Sequence, residues 1–280
     1  MSAVLFVIGT PIGNLGDITR RAVDTLATVD RVVAEDTRRT RALLSHLGIT
    51  GKPLECIDAN APLSRMQKVV EFLCAGHRVA LVTDAGMPGI SDPGARLVTA
   101  AAEAGVEIQV VPGPSSVTAA LALSGLVEGP FYFIGFLPRQ GKRRRAALDR
   151  VTRTSDPVVL FESPQRIGAT LRELALLQPE RAAVVCRELT KLHEEVRRGT
   201  LASLSSELIE TRGEFVIVLG PYGLGETDDA ETSIPDAVLR DRLSKGESPR
   251  TILEDLQLSG KQRREMYSRL LALAETMEDD

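Results

Sequence analysis

The chain has 280 residues, 43% of them apolar and 26% charged, with 34 Lys and Arg against 38 Asp and Glu for a net charge of −4. At about 150 residues per domain that length holds about two domains with full cores, and the composition excludes a disordered, fibrous or disulfide-stapled chain. The slight negative charge excludes a histone-like, charge-only mode of nucleic-acid binding.

The first apolar stretch, Val4 to Ile8, is too short to span a bilayer, and no signal-peptide pattern accompanies it, so a cytoplasmic protein without membrane contact is expected. Short apolar or β-branched runs then alternate with stretches of helical period, the pattern of a largely parallel α/β sheet. Strands are predicted at Ala3 to Ile8, Arg31 to Ala34, Leu54 to Ile57, Arg78 to Val82 and Glu107 to Val111, with helices between them, for example Thr19 to Thr28 and Thr37 to Leu47. The pattern resumes at Phe131 to Phe136, Val158 to Phe161, Ala182 to Cys186 and Phe215 to Leu219, and Glu195 to Thr200 reads as a further strand pairing antiparallel. A junction near Pro112 to Ser124 divides an N-terminal α/β domain, 1–114, from a second, 115–222. The acidic stretch within 223–233 reads as a linker. Beyond it, Pro235 to Ser244, Pro249 to Leu256 and Lys261 to Met277 carry apolar stripes, with cap signals at Ser248-Pro249 and Ser259/Gln262, so 234–280 is expected to be a small helical domain.

Three cysteines, Cys56, Cys74 and Cys186, lack C-x-x-C spacing and are expected to be small buried hydrophobes. His46, His77 and His193 form no H-E-x-x-H pair, so no metal site is expected.

Three loops follow predicted strands of one sheet, where ligands gather in open α/β folds. Gly9 to Gly16 has glycines spaced G-x-x-x-G-x-x-G, which is neither a Rossmann fingerprint nor a Walker loop. Thr83 to Gly94 combines an acid, glycines and prolines; Asp92 and Pro93 suit a helix start, whereas Asp84 to Gly89 suits a small-molecule pocket. Pro112 to Ser116 ends in two serines that either cap a helix or face a ligand.

Charge is uneven. Residues from Pro221 onward hold 8 Lys and Arg against 14 Asp and Glu, whereas Arg139 to Arg153 holds Arg139, Lys142, Arg143, Arg144, Arg145, Arg150 and Arg153 against Asp149 alone. Such a run is either a solvated helix face or a phosphate-binding surface.

Gly9 to Thr19 (G-T-P-I-G-N-L-G-D-I-T), Ala34 to Arg38 (A-E-D-T-R), Thr83 to Gly94, Pro112 to Ser116, Gly135 to Arg139 (G-F-L-P-R), Phe161 to Pro164 with Arg166, Glu188 to Glu194 (E-L-T-K-L-H-E) and Gly213 to Val218 together resemble the tetrapyrrole methylase superfamily. Within it, A-E-D-T-R, G-F-L-P-R and E-L-T-K-x-H-E resemble a branch that methylates the 2′-oxygen of a cytidine in small-subunit ribosomal RNA. The resemblance implies a two-domain α/β fold of tetrapyrrole methylase type with a small C-terminal helical bundle. It further implies S-adenosylmethionine in the cleft between the domains, a homodimer, and ribosomal RNA within the subunit as partner. By motif position it puts Thr10, Pro11, Asp84, Gly86, Met87, Ser115 and Ser116 at the cofactor, with Phe161 approaching from the second domain. Asp36, Glu162 and Lys191 are the candidates for a general base. Arg38, Arg139, Arg166 and the cluster Lys142, Arg143, Arg144, Arg145 are assigned to RNA phosphates. Two other readings stand beside this one: a corrinoid-type C-methyltransferase, and a non-enzymatic ribosome-assembly protein.

Overall fold

A computed structural model describes residues 3–207, 212–222, 236–256 and 266–274. The chain separates into two compact units, Met1–Tyr222 and Gly223–Asp280.

The first unit contains two five-stranded sheets. In the first, β1 (Val4–Ile8), β2 (Arg31–Ala34), β3 (Leu54–Cys56), β4 (Arg78–Leu81) and β5 (Glu107–Val111) are all parallel, in the order β3-β2-β4-β1-β5. Helices α1 (Arg20–Thr28), α2 (Thr37–His46), α3 (Leu63–Cys74) and α4 (Gly94–Glu103) make the crossovers. Alternate residues of β1 enter separate cores: Val4, Phe6 and Ile8 pack with Ala22 and Leu26 of α1, whereas Leu5 and Val7 pack with Val69 and Leu73 of α3 and Leu97 of α4. Both faces are therefore covered, which is why the strand is a continuous apolar run rather than an alternating one.

The second sheet departs from the expected parallel pattern. It takes β6 (Tyr132–Phe136), β7 (Val158–Glu162), β8 (Ala182–Arg187), β9 (Glu195–Thr200) and β10 (Phe215–Leu219) in the order β6-β7-β10-β8-β9, and only β6 and β7 are parallel. β9 pairs antiparallel with β8, as its sequence suggested. A short loop joins the two, leaving no room for the helical crossover that a parallel pair requires. Helices α6 (Gly141–Arg153), α7 (Ile167–Leu177) and α8 (Leu201–Ser206) share one core with the sheet through Val151, Leu171, Leu174, Leu201 and Leu204. The other face is covered by α5 (Ser116–Ser124), whose Val117 and Ala120 pack with Val184, Val216, Val218 and Ile12. Thus the helix that follows the last strand of the first sheet packs on the second.

Arg181 fastens the end of this unit. It is 1% exposed and donates to the carbonyls of Gly220, Val151 and Asp156 and to Gln178 Oε1, and burial pushes its guanidinium down to about 10. Tyr222 N donates to Ser155 O at 2.9 Å.

Only one cysteine matches its expected burial. Cys186 is buried in the second sheet, but Cys74 is exposed at the end of α3, and Cys56 is half-buried with its thiol donating to Glu35 O. Position at an element's end, rather than residue type, decides this.

In the second unit, α9 (Asp236–Ser244), α10 (Pro249–Asp255) and a helical segment at 266–274 share a core of Leu239, Ile252, Leu253, Met266, Leu270 and Leu273. Ser248 Oγ accepts from Thr251 N and Pro249 opens α10. The expected linker within 223–233, the Ser259/Gln262 cap and the outer ends of the last helix lie outside the described residues.

Candidate active site

Strands β4, β1 and β5 are neighbours and parallel, so the three loops that leave their carboxyl ends emerge side by side. They are fastened to one another. Thr10 N donates to Gly86 O at 2.9 Å, Gly86 N donates to Thr10 O at 3.1 Å, and Thr10 Oγ1 donates to Thr83 O at 3.0 Å. A Cβ on Gly9 would lie 2.6 Å from Met87 Sδ and 2.7 Å from the Gly113 Cα, so a glycine is required where the loops meet. The same argument holds at Gly13, where a Cβ would lie 2.4 Å from Lys191 Cγ in the loop between β8 and β9. The first loop therefore touches both its neighbours and the second sheet.

Between the loops and the second sheet lies a cleft of about 420 Å³, within the usual range for a small-molecule site. Asp84, Gly86, Met87, Ser115 and Ser116 line it from the first sheet's loops, and Phe161 lines it from β7. These six predicted cofactor residues are thus brought together. Thr10 and Pro11 are not on the wall. Both are buried in the loop junction, the Thr10 hydroxyl is committed to backbone, and Ile12 is the residue of that loop that reaches the cleft. Ser115 precedes α5 without capping it through its side chain, so the serines are not explained as caps.

The cleft is acidic. Among the described residues, Glu35, Asp84, Asp92, Glu162 and Glu214 line it with Arg39 as the one cation of the wall, while Arg166 and Lys191 pair with Glu162 and Glu214. Asp84 Oδ1 accepts from Asp36 N at 3.1 Å, and its other oxygen lies 3.4 Å from Arg39 Nε. Asp92 accepts from Gly89 N and Gly94 N. Glu35 accepts from Thr83 Oγ1, yet burial, together with the charges of Asp84 and Asp92, raises its carboxyl above the ordinary range.

The candidate bases behave differently from that. Asp36 caps α2 and is gripped by Arg38, whose hydrogen bonds hold its carboxyl far below the usual range, so it is a poor proton acceptor. Lys191 is half-buried, but hydrogen bonds to Glu188 and Glu214 outweigh burial and raise its ammonium, so it stays protonated rather than serving as a base. Glu162 is 2% exposed and saturated: it accepts from Ser163 N and Thr170 Oγ1, and Arg166 Nη2 pairs with its Oε1 at 2.7 Å.

This network corrects two RNA assignments. Arg166 is spent on Glu162, on Ser163 Oγ and on Leu137 O. Arg144 is buried, with its guanidinium on Glu173, Thr170 Oγ1 and Pro138 O. Both guanidiniums are thus fixed by protein acceptors, and the carboxylates of Glu162 and Glu173 already balance their charge. Arg38 is exposed but held by Asp36. Arg139, Lys142, Arg143 and Arg145 are exposed.

The residues missed by sequence reasoning are Glu35 and Arg39. Glu35 directly follows β2 at the carboxyl end of the sheet, and that position alone was a signal. Among the described residues no group of three or more His, Cys, Asp or Glu is arranged to hold a metal ion.

Two α/β layers with an acidic small-molecule cleft at the strand ends, and no Rossmann fingerprint, define a ligand-binding α/β protein built on three loops of its own kind. The chain belongs to the family described as tetrapyrrole (corrin/porphyrin) methylases, whose model matches residues 4–205. It is 40% identical to a protein of Synechocystis sp. named ribosomal RNA small subunit methyltransferase I, over 96% of this chain and 98% of that one. A protein of the same name from Thermotoga maritima is 44% identical over 217 residues, which are 77% of this chain and 97% of its own length. Among solved structures, a diphthine synthase superposes with a TM-score of 0.60 at 16% identity, over 78% of this chain and 89% of that one. A uroporphyrin-III C-methyltransferase from Thermus thermophilus gives 0.52 at 20% identity, over 78% and 94%. These two share the fold.

Proposed function

We propose that this chain is an S-adenosylmethionine-dependent methyltransferase of small-subunit ribosomal RNA, acting on the ribose 2′-oxygen of a cytidine, as a cytoplasmic homodimer, within the assembled subunit. The near full-length similarity to relatives that carry that name supports the ribosomal substrate. The cytidine 2′-oxygen, the dimer and the subunit setting rest on the resemblance of the A-E-D-T-R, G-F-L-P-R and E-L-T-K-L-H-E segments.

The observation that carries the reading is the acidic lining of the cleft, where Glu35 and Asp92 form no ion pair among the described residues, near a helix whose outer face is basic. When bound, S-adenosylmethionine supplies a methyl group made electrophilic by its cationic sulfur. The residues present fit such a donor. Asp84 and Glu35 suit a cation, the Ser115 and Ser116 hydroxyls and the first N–H groups of α5 suit its carboxylate, and Phe161 and Ile12 give apolar walls. Met87 and Gly86 complete the lining beside them. Anionic RNA is repelled by the same carboxylates, so its phosphates stay on the outer surface, at Arg139, Lys142, Arg143 and Arg145.

Much of the acceleration then comes from holding the ribose oxygen in line with the methyl group. Of the cleft's carboxyls, Glu35 is the one whose raised proton affinity suits accepting the ribose proton. Asp36, Glu162 and Lys191 instead position: they fix α2, β7 and the β8–β9 loop.

The test is to supply the protein with methyl-labelled donor and, in separate reactions, small ribosomal subunits, naked ribosomal RNA and a tetrapyrrole precursor. Label at one ribose of the RNA is the expected result. Label in the tetrapyrrole, or in nothing while the donor binds, overturns it.

A further inference from the structure

A second cavity, of about 650 Å³, adjoins the cleft, and Phe136 and Ser163 line both. Its remaining walls are Leu137, Pro138, Arg139, Gln165 and Arg166. Phe136 ends β6, just beyond a register shift between Phe133 and Gly135; such irregularities re-aim a side chain at the end of a strand. Phe136 is 53% exposed even though its ring contacts that of Phe161, with centroids 5.4 Å apart. A phenylalanine that is half open to solvent at the mouth of a cavity has one face on protein and one face unused.

The polar groups around it divide into two kinds. Arg166 and the carbonyls of Leu137 and Pro138 are already engaged, by Glu162, Arg166 and Arg144 in turn, so this part of the wall is rigid. Gln165 and Arg139 are exposed and make no hydrogen bond or ion pair among the described residues. An open aromatic face, an uncommitted amide with both donor and acceptor, and an uncommitted guanidinium are complementary to the three parts of one nucleotide: ring, base edge and phosphate.

We infer that this cavity receives a single unstacked nucleotide of the RNA substrate, with its base on Phe136, its edge met by Gln165 and its phosphate by Arg139. The inference rests on the reading of the chain as an RNA methyltransferase and adds where the acceptor is held. The polarity follows from charge: the carboxylates of the cleft keep the phosphate on the Arg139 side, which leaves the ribose between the two cavities, beside the methyl donor. Extruding a base from its stack costs least when the nucleotide is unpaired, so the site selects a single-stranded or bulged position.

The experiment measures methyl transfer to small ribosomal subunits for the full chain and for Gln165→Ala, Arg139→Ala, Phe136→Leu and Phe136→Trp, with donor affinity measured for each by calorimetry. Gln165 and Arg139 do not line the donor cleft, so donor affinity is expected to stay within about twofold while kcat/KM for the subunit falls about tenfold, the scale of removing a single interaction with a base. Phe136→Leu is expected to fall about as far and Phe136→Trp to recover, because stacking needs a ring rather than mere bulk. The native chain has no tryptophan, so quenching of the introduced one by a short single-stranded oligoribonucleotide gives an independent readout. Wild-type kinetics in Gln165→Ala and Arg139→Ala, or equal activity in Phe136→Leu and Phe136→Trp, overturns the nucleotide site. A wild-type chain that transfers no methyl to RNA overturns the functional reading first, and this inference with it.

Discussion

Glu35 and Arg144 show how far a residue's neighbours change its meaning. Burial first, then Asp84 and Asp92, raise the Glu35 carboxyl above its usual 4.5. Below the unfolded value it is protonated in both states, and as pH rises through the higher folded value its ionisation favours unfolding. Glu35→Gln should therefore flatten that part of the stability curve, melting at or above the wild-type temperature at neutral pH with no gain near pH 4. The same variant should lose the acid limb of the methylation rate, which thermal melts and rate profiles across pH together check. Arg144→Ala removes a buried guanidinium from Thr170 and Glu173 and should cost about 2–3 kcal/mol, read by denaturant unfolding. Arg145→Ala, on an exposed neighbour, should stay within about 0.5 kcal/mol. The sequence held the means to separate the two. Arg144 is in helical register with Ala147, Leu148 and Val151, three, four and seven residues on, and that face packs into the core. Reading the run as a block of charge hid it. Lys191 gave only half a signal: Glu188 lies three residues before it, but Glu214 reaches it through tertiary contact alone.

At the level of elements, α6 is two surfaces rather than one basic rod. Its inner face is fixed by Arg144 and Val151, and its outer face carries Lys142, Arg143 and Arg145. Replacing those three with alanine should leave donor affinity unchanged, weaken subunit binding, and lower the slope of log affinity against log salt by about 0.7–0.9 for each phosphate no longer neutralised. Titrations at several salt concentrations check this, and an unaltered slope would make the outer face a solvated one. The strands themselves were legible: β2, β5, β9 and β10 have the predicted limits, and the three loops were located from their glycines and prolines. What was not legible was strand direction in the second sheet. Phe215–Leu219 is buried throughout, and a wholly apolar strand carries no period from which a parallel or antiparallel neighbour can be told.

For the whole molecule, the question is how much of the chain the chemistry needs. Arg181 and Ser155 tie Gly220 and Tyr222 into the first unit, so the unit is finished at Tyr222. A chain ending at Gly225 should therefore fold with a melting temperature close to that of the full-length first unit and bind S-adenosylmethionine normally, while methylating subunits less efficiently. Loss of donor binding in a soluble truncation would instead make the helical unit part of the catalytic core. The proposed division of the first unit near residue 114 is subtler than a cut between beads, since α5, which follows that point, starts beside Ser115 with Ser116 at the cleft and lays its apolar face on the second sheet.

The place of β10 has a consequence for how the protein is made. Among the described residues it is the last strand in sequence and the middle one of its sheet, the sole link between β6-β7 and β8-β9. A nascent chain completes the first sheet once Val111 has emerged, but holds two unjoined strand pairs until Leu219 follows. Synthesis thus passes through a long interval in which one half is closed and the other presents bare strand edges. Chains halted at Glu214 should give a protease-resistant first half and a digestible second, whereas chains halted at Gly225 resist throughout. The donor cleft, which draws on both halves, comes into being only at the end of that interval.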